Sequence, residues 1–473
     1  MEQLAGTDAE GLTLLKHRTY PRQARHPADP FNSAPGVTIA GSGSHVRSVS
    51  HKALYAASIL FLLQSISALS IIDRSIYGEW AGKGGNKITF ILNLLGIFTS
   101  LFLFWSGTRE TRKAPFNRVL PLLAAGFLLI SVLWSVDPRV TLSQGTIYLA
   151  AVLGAIGIVQ ALDSNELMDL AASICGLSAV ASIVQFVIFP EPGDFRGIFS
   201  QKNLLGEAMA VGVLAALHGT RITRKFRYFC IIMLCSIVAL MSKSATSVLT
   251  IIVFLWLDIL GRLYLRGGST RTLSTCLAIV SVPIAIFVVM NEDLILDLFG
   301  KDRSLSGRTY IWTYAIDAIG ERPILGWGFC AFWSSLNSVA RQIAQEIAAR
   351  HDTWFVWTIP EAHNGMLEFL LEIGFAGTLL FTIIWIRNLA MALKCMAGPA
   401  RQFGLSSILL LLGILVNGVS EEVLLGAGQV WTSFFFVMGF ICEQKLWRPV
   451  LRSSLLSEGR SESAVSAARL SST

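Results

Sequence analysis

Apolar blocks of roughly 17 to 22 residues follow one another along most of the chain, separated by short stretches of charged and turn residues. A helix rises about 1.5 Å per residue, so each block is long enough to cross about 30 Å of hydrocarbon. Backbone groups inside a bilayer must find partners within the protein, which makes helices the spanning element for blocks of this length. The composition agrees, with 53% of the 473 residues hydrophobic and 15% charged, against about 25% charged in soluble domains. The expected fold is an all-α polytopic membrane helical bundle with about twelve spans. We place them at approximately 53–72, 88–105, 119–135, 142–161, 168–189, 203–219, 226–242, 245–264, 272–290, 365–386, 402–417 and 425–444.

Lys and Arg collect in cytoplasmic loops, and their distribution orients the spans. Arg109, Arg112, Lys113 and Arg118 form one group, followed by Arg221, Arg224, Lys225 and Arg227, then Arg262, Arg266 and Arg271, then Arg387, Lys394 and Arg401. All lie in alternate loops, and the tail with Lys445, Arg448 and Arg452 falls on the same side; only the acidic loop after the fourth span departs from the pattern. Both termini are expected in the cytoplasm, with residues 1–50 a disordered polar tail, 51–445 the transmembrane domain and 446–473 a second tail. The formal net charge of +7 is spread over loops and not gathered into a nucleic-acid-binding face. Seven cysteines show no disulfide framework or metal-ligand spacing.

This orientation puts the 190–202 loop and the long 291–364 segment on one outer face. Within the latter, SGRTYIWTYAIDAIG and SSLNSVARQIAQEIAAR read as amphipathic helices joined by ERPILGWGF, a cap expected to lie on the membrane surface. Candidate chemistry gathers on the same face. His363 is an outward-facing imidazole suited to general-base work, or else a neighbour of Asn364 acting as helix cap. Arg196 and Lys202 place cations beside a helix start, which suits a bound anion; both could equally be solvated loop charges. Arg308 opens the first cap helix, where a guanidinium and backbone N–H groups suit a phosphate, while Lys301, Arg303 and Arg308 could instead touch lipid headgroups. Glu207, Glu368, Glu372, Glu421 and Glu422 are acidic residues in or near spans, where an unpaired charge is costly. His351, Asp352, Glu361 and His363 lack the spacing of a metal motif, so no metal is expected.

The order of four segments carries more information than any one of them. WSVDPR, FRGIFSQKNLLGE, SGRTYIWTYAIDAIGERPILGWGFCAFW and EAHNGMLEFLLEIGFAG together resemble the O-antigen ligase and polysaccharide polymerase superfamily. The resemblance implies a metal-independent glycosyltransferase of the bacterial inner membrane, without cofactor, that works at the periplasmic face on glycans linked to undecaprenyl pyrophosphate. Arg196 matches the arginine of the RGxFxxxN motif, Arg308 that of the SGR motif and His363 the histidine of the HN motif. Arg196 and Arg308, with Lys202 reinforcing, are then expected to bind pyrophosphate and His363 to assist the acceptor hydroxyl, with Asn364 and Glu372 supporting. Gln144 stands where many relatives carry a basic residue. Implied partners are the lipid-linked oligosaccharide, an acceptor glycan, the bilayer, and a flippase and chain-length regulator of the same pathway. The RGIFSQKNLLGE segment favours an exopolysaccharide polymerase over a ligase acting on lipid A-core. A secondary transporter is disfavoured because the candidate residues sit at one face and not near the bilayer midplane.

Overall fold

The computed structural model describes residues 50–69, 87–109, 117–190, 193–290, 308–334, 336–350, 361–426 and 429–447. Helices and their connections make up these residues, with no strand among them. In chain order the helices are α1 (His51–Ser65), α2 (Lys87–Arg109), α3 (Val119–Ile130), α4 (Pro138–Ala161), α5 (Ser164–Ile188), α6 (Lys202–Ile222), α7 (Phe226–Met241), α8 (Ala245–Arg266), α9 (Ser269–Met290), α10 (Arg308–Glu321), α11 (Ser338–Arg350), α12 (Gly365–Ala397) and α13 (Arg401–Gly418), and then α14 (430–447). Six of them, α2, α4, α5, α8, α12 and α13, are long and apolar enough to cross a membrane. Each expected span overlaps a helix, although α1 ends at Ser65, short of the expected 53–72, whose last residues lie outside the described ones, and α14 begins later than expected, at residue 430. The two terminal tails lie outside the described residues except at their inner edges.

Two helices form the middle of the bundle. In α6 every residue from Leu205 to Gly219 is buried, as expected of a helix enclosed by neighbours on all sides; α5, α7, α8 and α13 pack around it. The second is α14, whose Trp431, Phe434, Phe435, Phe436 and Phe440 are at most 1% exposed. By contrast α2 faces outward along much of its length, with Phe90, Ile91, Phe98 and Trp105 more than half exposed, an apolar surface that suits lipid. It touches α4 where Gly107 meets Gly157, so close that a Cβ on Gly157 would lie 2.3 Å from the Leu103 carbonyl carbon. Small residues permit such backbone approach between membrane helices.

At one end α6 and α8 are tied by charge, and Arg221 of α6 also donates to the Ser406 hydroxyl of α13. Arg221 and Asp258, 1% and 3% exposed, form an ion pair, and Arg262 Nε donates to Asp258 Oδ2 at 2.5 Å. The opposite end carries the cap. Helices α10 and α11 bury Ile311, Ala315, Ala318, Ile343 and Ile347 in a small core of their own, joined by Trp327, Phe332 and Leu371.

The segment between the cap helices does more than connect them. The apolar side chain of Phe329 is fully buried and belongs to the main bundle core, so the 322–334 stretch dips into the bundle, where the sequence suggests only a surface turn. It docks on a break in α12. Gly374 has φ 60° and ψ −168° within that helix, which interrupts the i→i−4 ladder and strands carbonyls and N–H groups. The cap loop satisfies them: Trp327 N donates to Leu371 O at 2.8 Å, Gly328 N to Glu372 O at 2.9 Å, Phe375 N to Pro323 O at 2.8 Å and Ala376 N to Ile324 O at 3.0 Å. A third element closes the joint, since Val136 N donates to Trp327 O at 3.0 Å and Thr141 Oγ1 to Phe329 O at 2.8 Å.

Candidate active site

His363 stands immediately before α12 with φ 51°, a left-handed backbone that a non-glycine residue adopts only when its surroundings hold it there. The constraints on either side are visible. Asn364 caps α12, its Oδ1 accepting from Met366 N and Leu367 N at 3.1 Å each, while its Nδ2 donates to Val419 O at 3.2 Å. On the other side, Trp312 Nε1 of α10 donates to Ala362 O at 2.9 Å, and Ala362 N donates to the Glu368 carboxylate. Glu368 also accepts from Trp333 Nε1 at 2.9 Å. Cap and bundle thus grip the peptide on both sides of the histidine.

The imidazole is 16% exposed and faces two carboxylates: Nδ1 lies 2.9 Å from Glu361 Oε1 and 3.7 Å from Glu421 Oε2. Glu421 is held from the far side by Asn203, whose Nδ2 donates to Oε1 at 2.8 Å. A proton on Nδ1 would face these carboxylates and leave Nε2 as the basic atom, an arrangement that suits a general base. Asn203 is the last residue of the RGIFSQKN stretch, so this motif meets the histidine through Glu421.

The rest of that stretch is a fixed turn. Phe195, Ile198 and Phe199 are buried, and Ile198 N donates to Ser182 Oγ at 3.3 Å. Gly197, φ 54°, packs where a Cβ would sit 2.3 Å from the Ser182 side chain, so only glycine fits. Arg196 is half-buried on this turn. Lys202 Nζ is bound to Asp194 Oδ2 at 2.7 Å in an exposed pair, so its charge is already partly matched. The backbone of Arg308 opens α10; its side chain, together with Lys301, Arg303, His351 and Asp352, lies outside the described residues. Glu372, 4% exposed, has the acidic Glu422, Glu368 and Glu361 as electrostatic neighbours.

Among the described residues, two trios have ligand atoms within 4.8 Å of one another and the chemistry to hold a cation: Glu361, His363 and Glu421, and Cys330, Glu372 and Glu422. The residue after the histidine, Asn364, lines an apolar cavity of about 400 Å³. It begins at Asn364 and runs between α12 and α13 past Phe369, Phe381 and Trp385.

The sequence singled out His363 and Asn364 but not the contacts among Glu361, Glu421 and Asn203. A signal was present, since each is a polar residue at the edge of an apolar block; what was missing was which edges meet.

Residues 228–382 match the O-Antigen ligase family. The matched segment contains both cap helices, the loop between them and His363, and stops short of Arg196. With the helical bundle described above, this match makes the chain similar to the polytopic membrane proteins of the O-antigen ligase and polysaccharide polymerase-like superfamily. Over 302 residues the chain is 27% identical to the exopolysaccharide production protein ExoQ of Rhizobium meliloti (strain 1021), an overlap covering 60% of this chain and 68% of that protein.

Proposed function

We propose that this chain is a membrane glycosyltransferase that polymerises undecaprenyl-pyrophosphate-linked oligosaccharide units into exopolysaccharide at the periplasmic face. The observation that carries the reading is the imidazole of His363, with Glu361 at 2.9 Å from Nδ1, next in the chain to Asn364, which lines an apolar cavity. A polyprenyl donor needs both parts, an apolar slot for its chain and polar chemistry at its end. His363 Nε2 takes the proton of the acceptor hydroxyl as its oxygen forms a bond to the anomeric carbon. The bond from that carbon to the pyrophosphate oxygen breaks with inversion, and the electron pair leaves with the lipid pyrophosphate. Arg196, Arg308 and Lys202 neutralise that leaving group as its charge develops, while Asn364 keeps the base in register. The chain works with the flippase and chain-length regulator of the same pathway, and its termini face the cytoplasm.

Purified His363→Ala, supplied with lipid-linked repeat units, is expected to lose about 10²- to 10⁴-fold in transfer rate; wild-type transfer would remove the base assignment. A second reading, ligation of the glycan to lipid A-core, is favoured by the description of the matched family. Gene deletion separates the two. Missing soluble polysaccharide with normal lipopolysaccharide supports the polymerase, and rough lipopolysaccharide with accumulated lipid-linked glycan supports the ligase.

A further inference from the structure

Cys330 of the cap loop, Glu372 of α12 and Glu422 of the connection after α13 bring one thiol and two carboxylates within 4.8 Å of one another. Cys330 and Glu422 have no part in the transfer described above, and Glu372 enters it only as a supporting residue. Glu372 is 4% exposed, and one oxygen of each carboxylate, Glu372 Oε2 and Glu422 Oε1, is buried with no hydrogen-bond partner. A buried, unpartnered carboxylate oxygen is costly, and two facing a thiol are more so unless a proton or a cation neutralises them.

We infer that Cys330, Glu372 and Glu422 form a structural site for a divalent cation of the zinc class, which staples the cap loop to the break in α12 and to the α13–α14 connection. The donor set decides the class. A thiolate selects zinc-like ions over calcium and magnesium, which take oxygen ligands. Zinc bonds of about 2.3 Å to sulfur and 2.0–2.2 Å to oxygen put tetrahedral ligand atoms about 3.3–3.8 Å apart, so the trio needs only small side-chain adjustments. A fourth position remains for water. Without a cation the groups hold protons: burial, then Glu368 and Glu361, raises the Glu422 carboxyl well above the carboxylate range. Burial, then Glu372 and Glu422, raises the Cys330 thiol likewise. Binding therefore releases protons and tightens as pH rises.

The test uses the full-length, tag-free chain in detergent, exposed to Zn²⁺ or Co²⁺ alone and then desalted. About one equivalent of metal per chain is expected by elemental analysis, with a thiolate-to-metal absorption band in the cobalt form. Cys330→Ser should lose the band, and the double variant Glu372→Gln, Glu422→Gln should lose the bound metal. A wild-type chain that retains no metal after desalting overturns the site in favour of a protonated trio. Equal metal in wild type and variants reveals an adventitious ion only and overturns it too. Should the variants not fold, alkylation of the wild-type chain decides: zinc should slow modification of Cys330 and leave the exposed Cys230 unchanged, and equal rates at Cys330 with and without zinc reject the proposal. These readouts do not depend on glycosyl transfer.

Discussion

A single imidazole carries the proposed proton transfer, and separate contacts hold its charge and its place. Glu361 lies 2.9 Å from Nδ1, so under the proposed mechanism Glu361→Gln, which keeps the shape but removes the charge, should forfeit part of the about 10²- to 10⁴-fold that a positioned base supplies. The expected outcome is a lower kcat with little change in KM in steady-state assays of lipid-linked donor. Trp312 acts one step away, holding Ala362 O at 2.9 Å; Trp312→Phe should also lower kcat while leaving the fold intact by thermal denaturation. Asn364→Ala removes a helix cap worth about 0.5–2 kcal/mol, and both rate and melting temperature should fall. Part of this was legible. Asn364 as a cap follows from a short polar side chain ahead of an apolar helix, because that chemistry is local. The Glu361 and Glu421 contacts were not, because Glu421 comes from the far side of α13 and only packing brings it to the ring.

Among the elements, α12 shows where sequence periodicity stops informing. Its apolar content announces a span, and the structure has one. A glycine in such a span usually marks close packing, and nothing local to Gly374 distinguishes it from Gly377. What makes Gly374 different is the cap loop: with φ +60°, a Cβ there would lie 2.4 Å from Ile324 O. Gly374→Ala is therefore expected to cost about 3 kcal/mol or more, combining backbone strain with a clash against a carbonyl that cannot move freely. Thermal unfolding in detergent measures it, with Gly320→Ala, which has open space around it, as the control. The amphipathic character of α10 and α11 was readable for the same reason that the docking of ERPILGWGF was not. Helix faces repeat along the chain, whereas a loop that pairs its backbone with a distant helix break has no period to detect.

For the whole molecule, the two ends of the bundle are stabilised differently. At one end Arg221 and Asp258 are buried together, and Asp258→Asn leaves the guanidinium uncompensated at a cost of about 3–5 kcal/mol, which should appear as a large drop in melting temperature. At the other end acidic groups crowd. In metal-free protein the Glu422 carboxyl titrates well above its usual 4.5. A raised carboxylate gives stability that is full below the unfolded pKa and is lost as pH rises through the folded one. Melting temperature after chelation should thus fall from pH 5 toward pH 8, and Glu422→Gln should flatten the trend. The all-helical, apolar character of the bundle was legible from block lengths, since these reflect the solvent and not the partner. The joint between the cap loop and α12 also sets an order of assembly. Pro323 to Gly328 leave the ribosome before Leu371 to Ala376, so the backbone groups they will pair with do not yet exist. The cap has to wait, unlocked, until the following helix has been threaded, and a chain truncated before residue 371 would present that unpaired loop to the quality-control machinery of the membrane.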